Sequence, residues 1–467
     1  MKRALVVVML ACGVLAGCTM GPNYHRPQET VPTVFRGAEA SADAASLADE
    51  KWFQVFQDAQ LQGLIRTALQ HNYDVREAAA RVEAARANLG ITRADQYPTI
   101  AGSASITKQR FSSGGAYPIP AGFPQERTFG TVAGNLLSYE VDLWGRLRRA
   151  TEASRASLLA TEEDQKVVAM SLVSDLSSAY FNLLELDQEL EIAKRTLATR
   201  EDSLRLIQTR QSHGLATNLD VRQAEQLVQT ASTVIPSIEE RITQTENQIS
   251  LLMGANPAPV TRQLTLSQQE MPPAVPAGLP SSLLDRRPDI REAEQNLVAA
   301  NAIIGVARAA YFPQLSLTGL FGFQSNQLSS LFTGATKTWQ FVPQATQPIF
   351  TGGRLKSNVR LAEADRKIAL VRYERTIQTA FREVSDSLVA YQKAREIRSR
   401  QEALVATLQD RSRLSYVRYR GGVDTLLSAL DADRDLFAGE IQLAQARRDE
   451  LVSVVKLYRA LGGGWQQ

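Results

Sequence analysis

NYDVREAAARVEAARANLGITRADQYPTI, residues 72–100, aligns without a gap on RPDIREAEQNLVAANAIIGVARAAYFPQL, residues 287–315, and 11 of the 29 positions are identical. A period this long marks a tandem duplication rather than two unrelated domains. The repeat persists outward from this stretch. Gly145, Gly214 and Gly254 match Gly353, Gly422 and Gly462 at an offset of 208, so the spacings of 69 and 40 residues recur. A connector at 255–280 holds six of the chain's 18 prolines. The first repeat accordingly spans 52–254, the second 281–462, and 463–467 is a tail.

Each half reads as helix, hairpin, long helix and return helix. Residues 60–94 are rich in alanine and arginine, lack proline and predict a helix. Tyr97-Pro98 ends it, as Phe312-Pro313 ends its counterpart. Strand patterns follow, with hairpins at 98–143 and 313–350. In residues 314–324 apolar or small side chains hold the odd positions, and Leu137, Tyr139, Val141 and Leu143 alternate with polar neighbours. Period two with one apolar face suits a half-wet sheet or a membrane barrel. Long helices at 145–212 and 353–420 come next, each on the order of 100 Å at ~1.5 Å per residue. Helices of that length need partners along them. Ile377, Phe381, Val384, Leu388 and Tyr391 provide a seam at coiled-coil spacing, and Ala169, Val173, Leu176, Tyr180 and Leu183 repeat it 208 residues earlier. Gly214 and Gly421-Gly422 allow reversals into return helices at 217–253 and 424–461.

The first 17 residues read as a signal peptide: Lys2 and Arg3 precede an apolar run, Ala4 to Ala16, too short to span a bilayer well. Leu15-Ala16-Gly17-Cys18 has the form of a bacterial lipobox, which makes Cys18 the lipidated first residue of an extended segment at 18–51. Several acyl chains on one residue hold a protein stably to a membrane. Thr19, where an aspartate would favour the inner membrane, points to the outer one. Lysine and arginine number 52 against 49 acidic residues, so no global basic face exists for nucleic acid. The two cysteines, Cys12 and Cys18, exclude a disulfide framework in the body. His25, His71 and His213 show no metal-ligand spacing, and Met20, Met170, Met253 and Met271 form no cluster. Neither a metal nor a cofactor is expected. Phosphate loops, Gly-x-Ser-x-Gly elbows and His-Glu-x-x-His motifs are absent from the sequence, so it is not expected to be an enzyme.

Five stretches together carry a family resemblance: Gly17 to Pro27 (GCTMGPNYHRP), Trp52 to Leu61, Ser138 to Arg146 (SYEVDLWGR), Leu284 to Arg291 (LDRRPDIR) and Tyr311-Phe312-Pro313. With the repeat they cover essentially the whole mature chain, which resembles the TolC/OprM-type outer-membrane efflux lipoproteins, exit ducts of resistance-nodulation-division pumps. The resemblance implies an α+β membrane protein, a duplicated protomer of long coiled-coil helices and four transmembrane strands. It implies a homotrimer forming a β-barrel in the outer membrane with an α-helical periplasmic tunnel. A periplasmic adaptor and an inner-membrane pump are the implied partners. The adaptor is expected at the two turns, around His213 and Gly214 and around Arg420, Gly421, Gly422, Val423 and Asp424. The resemblance also assigns a periplasmic gate to Leu427 and Asp431, four residues apart on one helix face, with Tyr419 beside them. Subtracting 208 gives Leu219 and Gln223, so the acidic position is not duplicated. A duct for type I protein secretion shares the fold and is the alternative; the lipobox favours efflux.

Overall fold

The computed structural model describes residues 19–37, 46–112, 122, 124–270 and 276–465. The described residues fall into two compact units. One is drawn from Met1–Gln28, Val82–Thr161 and Ala293–Tyr373, the other from Glu29–Arg81, Glu162–Glu292 and Glu374–Gln467. In chain order the elements are α1 (Trp52–Val55), α2 (Ala59–His71), α3 (Tyr73–Ala94), β1 (Ile100–Arg110) and β2 (Glu126–Val141). They continue with α4 (Arg146–Ser212), α5 (Asn218–Leu252), α6 (Pro280–Arg286), α7 (Pro288–Ala309), β3 (Gln314–Ser325), β4 (Lys337–Thr346), α8 (Arg354–Arg420) and α9 (Leu426–Ala460).

The first unit holds one antiparallel sheet in the order β1-β2-β3-β4. Two hairpins, one from each half, join through β2 and β3, while β1 and β4 are edges. At the sheet's rim Trp144 stacks on Phe312 with ring centres 4.7 Å apart, and its Nε1 donates to Pro313 O at 2.8 Å. Arg146 forks onto Glu140 at 2.9 and 2.6 Å, and Arg148 Nε reaches Asp142 Oδ2 at 3.3 Å. These contacts account for Ser138 to Arg146 and Tyr311-Phe312-Pro313 as one junction. The extended segment from Thr19 is clamped in the same unit. Met20 N donates to Trp144 O at 3.0 Å, Asn301 Nδ2 to Pro22 O at 2.9 Å, and Arg149 Nη2 to Asn23 Oδ1 at 2.8 Å. Tyr24 Oη and Arg26 both meet Glu294, at 3.0 and 3.1 Å. A side chain at Gly21 would run into the Gly305 backbone, with Cα only 2.5 Å from the added Cβ.

In the second unit the heptad seam lies inside. Val173, Leu176, Tyr180 and Leu183 of α4 are buried, as are Ile377, Val384 and Leu388 of α8. The continuous helix predicted over 60–94 is instead two, α2 and α3, separated by Asn72. Asn72 Oδ1 accepts from the backbone of Asp74 and Val75, at 2.8 and 3.1 Å, and its Nδ2 donates to Leu252 O at the end of α5. Arg287 breaks the second half at the matching place. It forks onto Asp289 and donates through Nη1 to Ala460 O at the end of α9. A cap residue that serves both its own helix and a distant carbonyl explains a break that alanine-rich propensity hides.

All three glycine pairs at the offset of 208 have φ between +70° and +86°. At the two reversals Leu215 N bonds Arg210 O and Val423 N bonds Arg418 O, closing each long helix with a left-handed glycine cap. Gly254 is doubly constrained, because a Cβ there would lie 2.3 Å from His71 O.

Candidate functional site

The sheet has two chemically different faces, fixed by register. Residues paired directly across strands share a face. Ile100, Leu136 and Gly319 therefore lie in one row with Phe341, and Gly102 and Gly134 in the next with Phe321 and Trp339. This face is apolar and exposed: Ile100 76%, Ile106 78%, Phe321 63%, Trp339 74%. The other face carries Ser103, Asn135, Thr131, Gln324 and Thr338; Asn135 Nδ2 donates to Ser103 Oγ at 2.8 Å. A band of exposed aromatic and branched side chains this continuous is a liability in water and the normal outer face of a barrel in lipid.

Alternation in β2 does not run through unbroken. Between Leu136 and Tyr139 the register shifts, one extra residue on β2 opposing β3. Even positions up to Leu136 face the apolar side, then odd ones, Tyr139 and Val141, take over. Leu137, read from the sequence as part of one alternating run, sits in this bulge. A bulge flips side-chain parity, and a local pattern cannot show where.

The two helical turns form the second candidate region. His213, Gly214, Arg420, Gly421, Gly422 and Val423 are exposed and Asp424 is half-buried. Each turn presents an exposed apolar pair, Leu215 with Leu219 and Val423 with Leu427, at the repeat offset. Thr217 and Asp220 form a reciprocal cap on α5, at 3.2 and 2.7 Å, and Thr425 caps α9. Asp424 accepts from Thr425 N at 2.8 Å and from Arg418 Nε at 3.1 Å. The Thr425 backbone bond, then Ser428 and Arg418, hold its carboxyl below the usual aspartate value.

Leu427 and Asp431 lie on the outer side of α9, opposite buried Leu426 and Leu430. Asp431 does not stand alone. Arg434 Nη1 is 3.1 Å from it, and Arg434 also meets Asp435, which Arg411 contacts at 2.8 Å. Tyr419 packs on the cluster of Ile207, Ala224, Leu426 and Leu430, with the Arg210 guanidinium 5.0 Å above its ring.

Sequence reasoning missed a buried polar contact behind this region. Arg200 of α4 donates from Nε to Asp433 Oδ2 at 2.7 Å and from Nη1 to Leu227 O of α5 at 3.1 Å. Its guanidinium also lies 5.1 Å from the Phe437 ring centre. Both charged side chains are buried, so one arginine ties α4, α5 and α9 two residues from Asp431. The only hint in sequence is an acid, Asp433, on the inward side of an amphipathic helix. Among the described residues no cluster of His, Cys, Asp and Glu is arranged to hold a metal. Cys18 lies outside the described residues.

An apolar-faced membrane sheet joined in one duplicated chain with paired 67-residue helices is the build of an outer-membrane channel protomer. The chain matches the model of the outer membrane efflux protein family over residues 64–255 and 279–463, one segment in each half. The toluene efflux pump outer membrane protein TtgC of Pseudomonas putida is 38% identical over 479 residues, covering 100% of this chain and 97% of that protein. The antibiotic efflux pump outer membrane protein ArpC of Pseudomonas putida is equally similar, 38% over 479 residues with the same coverage. The crystal structure of the open state of the MtrE outer membrane channel of Neisseria gonorrhoeae superposes with a TM-score of 0.87 at 32% identity, over 96% of this chain and 99% of that one. The chain belongs to the outer membrane efflux protein family.

Proposed function

We propose that this chain is the outer-membrane exit duct of a tripartite efflux pump, and that drugs or apolar solvents leave through it passively. The observation that carries the reading is the four-stranded sheet with an exposed apolar face and two open edges. Four strands cannot close a barrel, and an open edge in hydrocarbon leaves each unpaired backbone group costing several kcal/mol. A homotrimer removes every edge. Substrates of the relatives, toluene and antibiotics, set the class to be tried first.

Within that duct we assign the gate to Leu427 and Asp431 with Tyr419 behind them, and the adaptor contact to the two turns at Gly214 and Gly422. The exposed apolar pairs on both turns support a docking role, and the solvent-facing Asp431–Arg434 ion pair supports a charged constriction. Cys18 is assigned as the lipid anchor on the lipobox. An inner-membrane resistance-nodulation-division pump and its adaptor are the partners in this reading. The test is twofold. Purified protein should conduct in a planar bilayer, and expression in an efflux-deficient host with a cognate adaptor and pump should restore toluene and antibiotic tolerance. Restored protein secretion without restored tolerance would favour a secretion duct instead.

A further inference from the structure

Two carboxyls that neither the gate nor the turns use are buried one helical turn apart on α4: Glu185 is 0% exposed and Glu189 2%. Glu189 is well provided with donors. Gln445 Nε2 of α9 reaches its Oε1 at 2.8 Å, and Arg241 Nη1 of α5 its Oε2 at 3.1 Å. Glu185 is not. Arg448 Nη1 of α9 reaches Oε2 at 3.3 Å while also meeting Asn182 Oδ1 at 3.3 Å, and its Nη2 is committed to Asp449 at 2.8 Å. The Nδ2 of Asn182 points to Thr245 at 3.5 Å. That leaves Glu185 Oε1 buried with no donor.

A buried anionic oxygen without a donor is costly, whereas a neutral carboxyl supplies its own O–H. The acceptor in reach is Glu189, one turn away. Like charges in one dry site cannot both ionise cheaply. Burial first, then the bond to Glu189 and its charge, push the Glu185 carboxyl up to about 8 against the lowering pull of Arg448 and Arg241.

We propose that Glu185 holds a proton at neutral pH and donates it in a hydrogen bond to Glu189, and that its loss is a pH-sensitive release of the seam joining α4, α5 and α9. The charged groups facing the pair are Arg241 from α5 and Arg448 from α9, with Asp449 beyond Arg448. Because the folded carboxyl lies above its ordinary value of 4.5, its stabilising contribution is complete below that value. It is lost progressively as pH rises toward 8 and is constant beyond. Since the first turns of α9 carry Leu427 and Asp431, any effect on conductance rests on the gate reading above; the proton on Glu185 does not.

Full-length protein in detergent is compared at about pH 6 and about pH 9.5, on either side of the Glu185 transition. Infrared difference spectra should show a protonated carboxylic acid carbonyl band at the lower pH that vanishes at the higher one and is missing in Glu185→Gln. Hydrogen exchange of α5 and α9 around residues 241–252, corrected for intrinsic rates, should rise on the order of tenfold across this range, as should exchange around 441–452. In Glu185→Gln, whose amide donates to Glu189 at every pH, exchange should stay flat. Absence of the acid band from the parent protein at about pH 6, or an unchanged exchange slope in Glu185→Gln, overturns the proposal. If Glu185→Gln fails to fold, Glu189→Gln takes its place, since its new amide, donating to Glu185, should equally remove the band and the slope. A band that titrates while conductance stays constant overturns the coupling of this proton to the gate and leaves the protonated Glu185 standing.

Discussion

Asp433 and Arg200 show how much one buried pair can decide. Removing only the arginine leaves a carboxylate with neither water nor counter-ion, a loss of about 3–5 kcal/mol. Arg200→Met should therefore lower the thermal stability of the extracted protein strongly, while Arg200→Met with Asp433→Leu should recover most of the loss. A double variant as unstable as the single one would show that the pair is not the cause. Asp431, by contrast, is half-exposed and already neutralised by Arg434. Asp431→Ala would uncover an arginine in each subunit, so resting conductance should rise several-fold and selectivity should move toward anions. Adding Leu427→Ala should widen the effect. A planar-bilayer recording indistinguishable from the parent would place the constriction elsewhere. The spacing of Leu427 and Asp431 was readable from sequence because it is local. The link from Arg200 to Asp433 was not, since 233 residues separate them.

Glycines set the limits of the elements. Gly254 combines a φ of +71° with a backbone oxygen 2.3 Å from any added Cβ. Gly254→Ala should cost about 1–3 kcal/mol and perturb the end of α5, read as a lower melting temperature. Gly422 differs: its φ is +74° but the space around it is open. Gly422→Trp should thus fold with about 1–2 kcal/mol of backbone strain, keep its oligomer, and lose drug resistance and adaptor crosslinking together. Retained crosslinking in that variant would take the adaptor contact off this turn. Helix type, the heptad seam and the reversals were legible because they follow periodicity and glycine placement. The parity switch at Leu137 and the breaks at Asn72 and Arg287 were not. A bulge depends on the opposing strand, and each break depends on a carbonyl at the end of another helix.

At the scale of the molecule, the edges of β1 and β4 demand partners. Native mass spectrometry of detergent-extracted protein should find trimers, which bring twelve strands together from the four among the described residues of each chain; monomers alone would contradict the assembly. Anchoring is a separate matter. Thr19 to Arg26 are held by Arg149, Asn301, Trp144 and Glu294 through hydrogen bonds and an ion pair, all within one unit. This clamp needs no lipid. Cys18→Ala should abolish acylation seen by mass spectrometry and leave assembled, conducting trimers, with efflux reduced rather than lost. An unacylated parent protein would remove the anchor from the account.

The amino-acid sequence alone determined the duplication, the kind of each element, the family and the places where the chain reverses. Hydrophobic period, proline and glycine act over a few residues, and a repeat compares the chain with itself. Only the tertiary structure decided which polar groups meet. Asn72 with Leu252, Arg287 with Ala460, Arg200 with Asp433 and Arg448 with Glu185 pair residues 173 to 263 positions apart. Whether a given charge is solvated or buried depends on which helix packs over it, and a helix face carries no mark of its partner. The Glu185 oxygen left without a donor is the clearest case, since it is defined by what three helices together fail to provide.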